Sequence, residues 1–444
     1  MRLNKIFFLA VVLFTLMFGC KTNTTVDILI KNARIVDVID GVITEPLDIA
    51  ISNGIIIDIG NEYNAERVID CQGKYVIPGL FDCHTHLANL KLLGDSIEQD
   101  VLKKFVNRGV LYVRDVGGPI DVISEMNNRI ASGIIDGPEI FYTGPMLESS
   151  PLTWERQNLR LPDFTVAINT KRDADSIINV LSEKGATMIK TFKKFKPDLY
   201  EYIVSEAHKH NLSVVHDPGG PLFHPIPVDK AIELGANSIE HAKALWPVVL
   251  KDTFKHQHDR LMNAQHSDRE AMVKLIYEIV ESGAESVSKN KIVDIGNTIV
   301  KEDVYMCPTF YVSATLYNED DVPDKSDKQQ VFRYKMLRAM RDIGIFCIEE
   351  LNKTGVKMLV GQDNIKPEGT LAEMRLMKQA GISDIDILRG ATILPACWIG
   401  IDDKYGSISK NKKADIIIIN SSPLNDINSI SDIYKIVHKG KILQ

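Results

Sequence analysis

From Val26 onward the apolar residues fall into short runs with the two-residue alternation of strands, at 27–38 and 49–59. Asp40-Gly41 and Asn53-Gly54 punctuate them as hairpin turn signals. The same texture returns at the far end, at 414–420 and 433–443, on either side of Ser421-Ser422-Pro423. Neither group has enough strands to be stable by itself. The pattern therefore predicts one small β-sandwich built from both chain ends, residues 26–77 and 394–444, with the middle of the chain inserted between its halves.

That middle, 78–393, alternates short apolar runs with amphipathic stretches, the rhythm of repeated βα units. Strands are expected at 80–84, 110–115, 139–143, 187–191, 213–216, 238–241, 304–308 and 356–361. Eight such units close an α/β barrel of the (β/α)8 TIM type, whose functional residues sit at the C-terminal ends of the strands. A charge-rich stretch at 246–301, with 270–280 its clearest helix, is expected as a cap over the barrel mouth.

The first residues follow a different rule. Arg2 and Lys5 precede an apolar run from 6 to 18, about 13 residues, which is shorter than the roughly 20 needed to span a bilayer. The run stops at Gly19-Cys20 and resembles a bacterial lipoprotein signal. The resemblance implies a signal peptide at 1–19, lipidation of Cys20, a polar linker at 20–25, and a membrane-anchored lipoprotein of the cell envelope on its periplasmic or surface side. With Cys20 so assigned, Cys71, Cys83, Cys307, Cys347 and Cys397 form an odd set without a CxxC pair, so no disulfide framework is implied.

Composition narrows the classes further. The 444 residues carry 52 Lys+Arg against 59 Asp+Glu, a net charge of −7, with 45% hydrophobic and 25% charged residues. These fractions suit a globular chain with a sizeable core and exclude disordered, fibrous and polytopic membrane proteins. Without a basic stripe to neutralise a phosphate backbone, nucleic acid is excluded as a partner.

The chemistry-bearing residues recur at the expected strand ends: His84 and His86 after the first, Lys190 at the fourth, His216 at the fifth, His241 at the sixth and Asp363 after the eighth. Histidines at i and i+2 of a strand face the same side and can reach one cation. A single His-x-His says little, but such residues at several strand ends of one barrel converge on one mouth. His256-Gln257-His258, in a stretch rich in Lys, Asp and Gln, reads instead as a solvated helix face.

With these residues in place the chain after the signal resembles the amidohydrolase superfamily. The first-strand segment Val76-Ile77-Pro78-Gly79-Leu80-Phe81-Asp82-Cys83-His84-Thr85-His86 carries the resemblance. So do Arg114-Asp115-Val116-Gly117-Gly118, Ile189-Lys190, Ser238-Ile239-Glu240-His241-Ala242, Gly361-Gln362-Asp363, and the return from Gly406-Ser407-Ile408 to Lys413-Ala414-Asp415. The branch it is most similar to contains imidazolonepropionases and metal-dependent dipeptidases.

The resemblance implies two divalent metal ions, usually zinc. His84, His86 and Asp363 would hold one and His216 and His241 the other, with Lys190 bridging both as its carbamate, N6-carboxylysine. A free ammonium has no lone pair to offer a metal, whereas a carbamate offers two oxygens. Asp363 would also move the proton of an attacking hydroxide to the leaving amine. His216-Asp217-Pro218-Gly219 lacks the glutamate that deaminase members use, which favours hydrolysis of an amide over deamination.

The expected function is that of an exported hydrolase of a small amide, a dipeptide or N-acyl amino acid. The alternatives are a cyclic amide or lactone substrate and, from a different class, a catalytically silent binding lipoprotein. Tyr142 and His224 are candidate substrate contacts, and the sequence leaves homo-oligomerisation open.

Overall fold

A strand of 13 residues, Thr25–Asp37, is the spine of the sheet that joins the two chain ends. Its first half pairs antiparallel with Leu47–Ser52 and parallel with Asn64–Asp70, and Arg34 and Ile35 pair with Tyr75–Pro78. Tyr75–Pro78 in turn pairs with Ile416–Ile419 from the far end, followed by Ile433–His438 and Lys441–Leu443. Ile416 and Ile418 pack with Ile28, Ile30, Ile49 and Val76 inside the sandwich, while Ile417 and Ile419 pack into the barrel core. Four successive isoleucines are buried because both faces of this strand are covered. The computed structural model describes residues 25–443 except 220–224, 264–268, 317–322 and 325, so the segment 1–19, Cys20 and His224 lie outside the described residues.

The barrel strands are β1 (Leu80–Thr85), β2 (Val110–Asp115), β3 (Glu139–Tyr142), β4 (Met188–Phe192), β5 (Ser213–Asp217), β6 (Ser238–Glu240) and β7 (Tyr305–Cys307). All neighbours within β1–β3 and within β4–β7 are parallel. Thr187 donates its N–H to Tyr142 O at 3.2 Å and so links β3 to β4. Segment 356–361 takes the eighth place: Leu359 N–H reaches Met306 O at 2.8 Å, and Cys83 N–H reaches Val360 O at 2.7 Å. It touches β7 as an isolated bridge at Met306 and Met358, not as a regular strand. Helices follow the strands as the pattern predicts; Lys171–Glu183, for instance, starts at a capping box between Thr170 and Asp173.

Two expectations change. The stretch 246–301 is helical, with Asp252–Met262, Arg269–Ser282 and Lys289–Lys301, but none of its described residues lines the cavity at the barrel mouth. Leu275, Ile279, Ile292, Ile295 and Ile299 are buried in the main core instead, so the stretch packs as a flanking layer and not as a cap. The sandwich boundary expected at 393 falls inside helix Ile393–Ile399, whose Ala396 and Trp398 belong to the barrel core.

Candidate metal centre

Barrel closure brings the C-terminal ends of the strands together around a cavity of about 540 Å³. His84 closes β1 and His86 follows it. His84 Nδ1 lies 2.6 Å from Glu240 Oε2 and His86 Nδ1 lies 2.9 Å from Gly117 O. These contacts direct the two Nε2 atoms to a common point, where Asp363 Oδ1 stands 3.5 Å from His84 Nε2 and 3.2 Å from His86 Nε2. Gly117 makes room for the His86 ring, since a Cβ there would come within 2.9 Å of its Cε1.

The donors suit a divalent cation. His84 Nε2 is fully buried without a hydrogen-bond partner, and the atoms of His84, His86 and Asp363 all lie within 4.8 Å of one another. An orphaned buried ring nitrogen beside a second imidazole and a carboxylate is a ligand set looking for a cation. Burial, reinforced by the Lys190 cation, holds His84 well below the usual histidine range, so its ring is neutral and its lone pair free. Burial opposes the charged form of Asp363, but the surrounding imidazoles outweigh it and keep the carboxylate ionised.

Beneath the mouth a buried network holds these groups in place. Glu240 accepts from Arg114 Nη2 at 2.7 Å and Ser238 Oγ at 2.9 Å while its other oxygen holds His84, and Arg114 Nε donates to Cys83 O. A carboxylate on the far nitrogen of a candidate ligand histidine fixes its tautomer and raises its basicity. On the opposite wall Lys190 Nζ lies 3.0 Å from Asp217 Oδ2, and His241 Nε2 lies 3.1 Å from the same oxygen. His241 Nδ1 meets Thr309 Oγ1 at 2.6 Å. Backbone strain gathers at the same strand ends, with positive φ at Lys193, His241, Thr309 and Asp363, conformations that cost roughly 1–3 kcal/mol each where the side chain is not glycine.

Of the residues expected at the site, His84, His86, Lys190, His241 and Asp363 come together. His216 does not. The register pairs Lys190 with Val215, and Phe192 with Asp217, so Val215 and Asp217 share the inward face while His216 pairs with Thr191 on the outward one. There its Nδ1 meets Thr191 Oγ1 at 3.0 Å, its Nε2 meets Ile226 O at 3.1 Å, and the Tyr200 ring packs edge-on against it. Burial drives its pKa down to about 4.

Tyr142 is likewise turned away, its hydroxyl donating to Lys184 O at 2.8 Å, with no place on the cavity wall. The sequence singles out neither Asp217 nor Thr309, and Glu240 and Arg114 stand in the family-like segments without a role. Strand parity counted from Lys190 is the signal that finds Asp217.

Residues 251–443 match the model of the amidohydrolase family. Over 61 residues the chain is 48% identical to an adenine deaminase of Listeria welshimeri, a match that spans 14% of this chain and 10% of that relative. Among solved structures it resembles a Xaa-Pro dipeptidase with bound methionine in the active site, at a TM-score of 0.70 and 20% identity over 94% of this chain and 99% of that one. It also resembles molinate hydrolase, at 0.69 and 16% over 94% of each. The match to the amidohydrolase family model is thus confined to residues 251–443, and the solved structures share the fold of the chain.

Proposed function

We propose that this protein is a metal-dependent hydrolase that cleaves an amide bond in a small molecule of the dipeptide or N-acyl amino acid class. The observation that carries the reading is the convergence of His84 Nε2, His86 Nε2 and Asp363 Oδ1 on one point of an open cavity. A divalent cation held there supplies Lewis-acid polarisation of a carbonyl and lowers the pKa of water to about 7. Asp363, ionised beside two imidazoles, accepts the proton of the attacking water and returns it to the leaving amine.

The reading extends to two cations, zinc by the nitrogen and oxygen donors available, with His241 and Lys190 serving the second and Asp217 standing where His216 was expected. Lys190 serves as the carbamate formed when its neutral amine adds CO2 and releases a proton. The dipeptidase whose fold it shares supports a peptide-like amide. Deamination, the activity named for the short-matching relative, is disfavoured because Asp217-Pro218-Gly219 follows His216 where deaminases carry a glutamate.

The test is hydrolysis of a dipeptide and N-acyl amino acid library by metal-replete protein, with Asp363→Asn as control. The variant is expected to lose about 10²-fold or more in kcat at little cost in KM, provided its metal content is checked and kept. Near wild-type turnover by a metal-retaining variant would reduce Asp363 to a ligand at most.

The lipidated Cys20 is part of the same proposal and rests on the segment 1–20 alone. The mature chain should partition into detergent. A Cys20→Ser protein that still sediments with membranes after a high-salt wash would contradict it.

A further inference from the structure

Two lysines on the cavity wall stand outside the metal-type group. Lys193 follows β4, and Lys243 lies in the short turn Ala242–Leu245 beyond His241. The carboxylates around them are already engaged: Asp217 with Lys190 and His241, Asp363 with the imidazoles, and Glu148 with Thr153 through both of its oxygens. Among the described residues no carboxylate lies within 4.0 Å of either ammonium, and Asp217 and Glu148 act on Lys193, and Asp217 on Lys243, only from farther off, whereas neighbouring Lys194 turns out to Pro151 O at 2.6 Å.

The direction of Lys193 is built in. Its backbone is held at a φ of 42°, and its alkyl stem crosses Gly219 so closely that a Cβ there would lie 2.2 Å from its Cγ and Cε. Its Nζ sits 5.3 Å from the centroid of Phe192, a cavity residue. Across the same cavity Phe164 and the half-exposed Trp154 offer an apolar wall.

We propose that Lys193 and Lys243 bind a carboxylate of the substrate, so that the amide cleaved belongs to an anionic molecule whose apolar group lies against Trp154 and Phe164. The inference rests on the hydrolase reading of this cavity and adds the residues that select its substrate. Lys190 cannot take the role, because as a carbamate it is itself an anion and as an amine its Nζ is engaged by Asp217 at 3.0 Å.

Binding is the direct test, since it needs neither turnover nor metal. N-benzoylglycine and its primary carboxamide are titrated into metal-stripped protein, following tryptophan fluorescence, with Trp154 on the cavity wall. The acid is expected to bind about 10- to 100-fold more tightly than the amide. Lys193→Met and Lys243→Met should each cut that ratio by about tenfold, while arginine at either position should keep it. Equal binding of acid and amide, or a ratio that survives in the double methionine variant, overturns the proposal. Turnover is read separately: an intact binding ratio with no hydrolysis of any amide would remove the hydrolase reading and leave the carboxylate site standing.

Discussion

Lys190 is the residue whose chemistry is least determined by its position. It is 1% exposed, and Asp217 at 3.0 Å is enough to keep an ammonium content there. A carbamate and a charge partner make opposite predictions for arginine, which keeps the cation and cannot add CO2. We expect Lys190→Ala to lose bound metal and activity together, with partial rescue by short-chain carboxylic acids, and Lys190→Arg to remain inactive. Metal analysis and turnover of the two variants decide it; an active arginine variant would make Lys190 only the partner of Asp217. At this scale the site was partly legible. His84, His86, His241 and Asp363 stand next to strand ends and announce their chemistry by type. The choice between His216 and Asp217 did not show, because β5 is buried on both faces and its alternation carries no polarity signal.

Among the elements, helix Gly369–Gln379 controls the rim more than its sequence suggests. Its Glu373 accepts the backbone N–H groups of Phe310 at 2.9 Å and Tyr311 at 2.6 Å, fixing the start of helix Phe310–Leu316 beside Thr309, which orients His241. Burial raises the Glu373 pKa from 4.5 to about 8. Between those values the folded chain holds a proton that the unfolded chain has lost, so the stability from this group falls as pH rises through the window. Glu373→Gln removes the titration and mimics the protonated acid. Relative to wild type the glutamine variant should therefore gain at least about 1 kcal/mol on going from pH 5 to pH 9, read from urea midpoints. Parallel curves for the two proteins across that range would show that Glu373 does not titrate there.

Element identity itself was readable from apolar periodicity, down to β2 at Val110–Asp115. What periodicity could not reveal is where the helices of 246–301 dock. Their apolar stripes look alike whether they cover a mouth or a barrel wall, and only packing in three dimensions assigns them to the wall.

At the scale of the whole molecule the question is whether sandwich and barrel stand or fall together. The sandwich is closed by strands from both chain ends, with the barrel threaded between them, so each half of the sheet is paired with a partner distant in sequence. The two cores share a wall in Ile416–Ile419: Ile416 and Ile418 face one, and Ile417 and Ile419 face the other. Ile417 reaches so far into the barrel that a Cβ on Gly109, at the turn before β2, would come within 2.6 Å of its Cδ1. Tyr112 of β2 adds a buried hydrogen bond to Asp415, which also holds His438 Nδ1 at 2.9 Å.

The junction is therefore continuous with both cores, and the described chain should unfold as one cooperative unit. Ile417→Ala on the barrel side and Ile416→Ala on the sandwich side should each cost about 2–5 kcal/mol. Both should shift the same transition, with tryptophan fluorescence, which reports Trp154 on the cavity wall and Trp246 and Trp398 in the barrel core, coincident with far-ultraviolet dichroism. If Ile416→Ala lowers the dichroism midpoint while the tryptophan midpoint stays in place, the sandwich melts alone, and the shared isoleucine wall is a contact between two independent units.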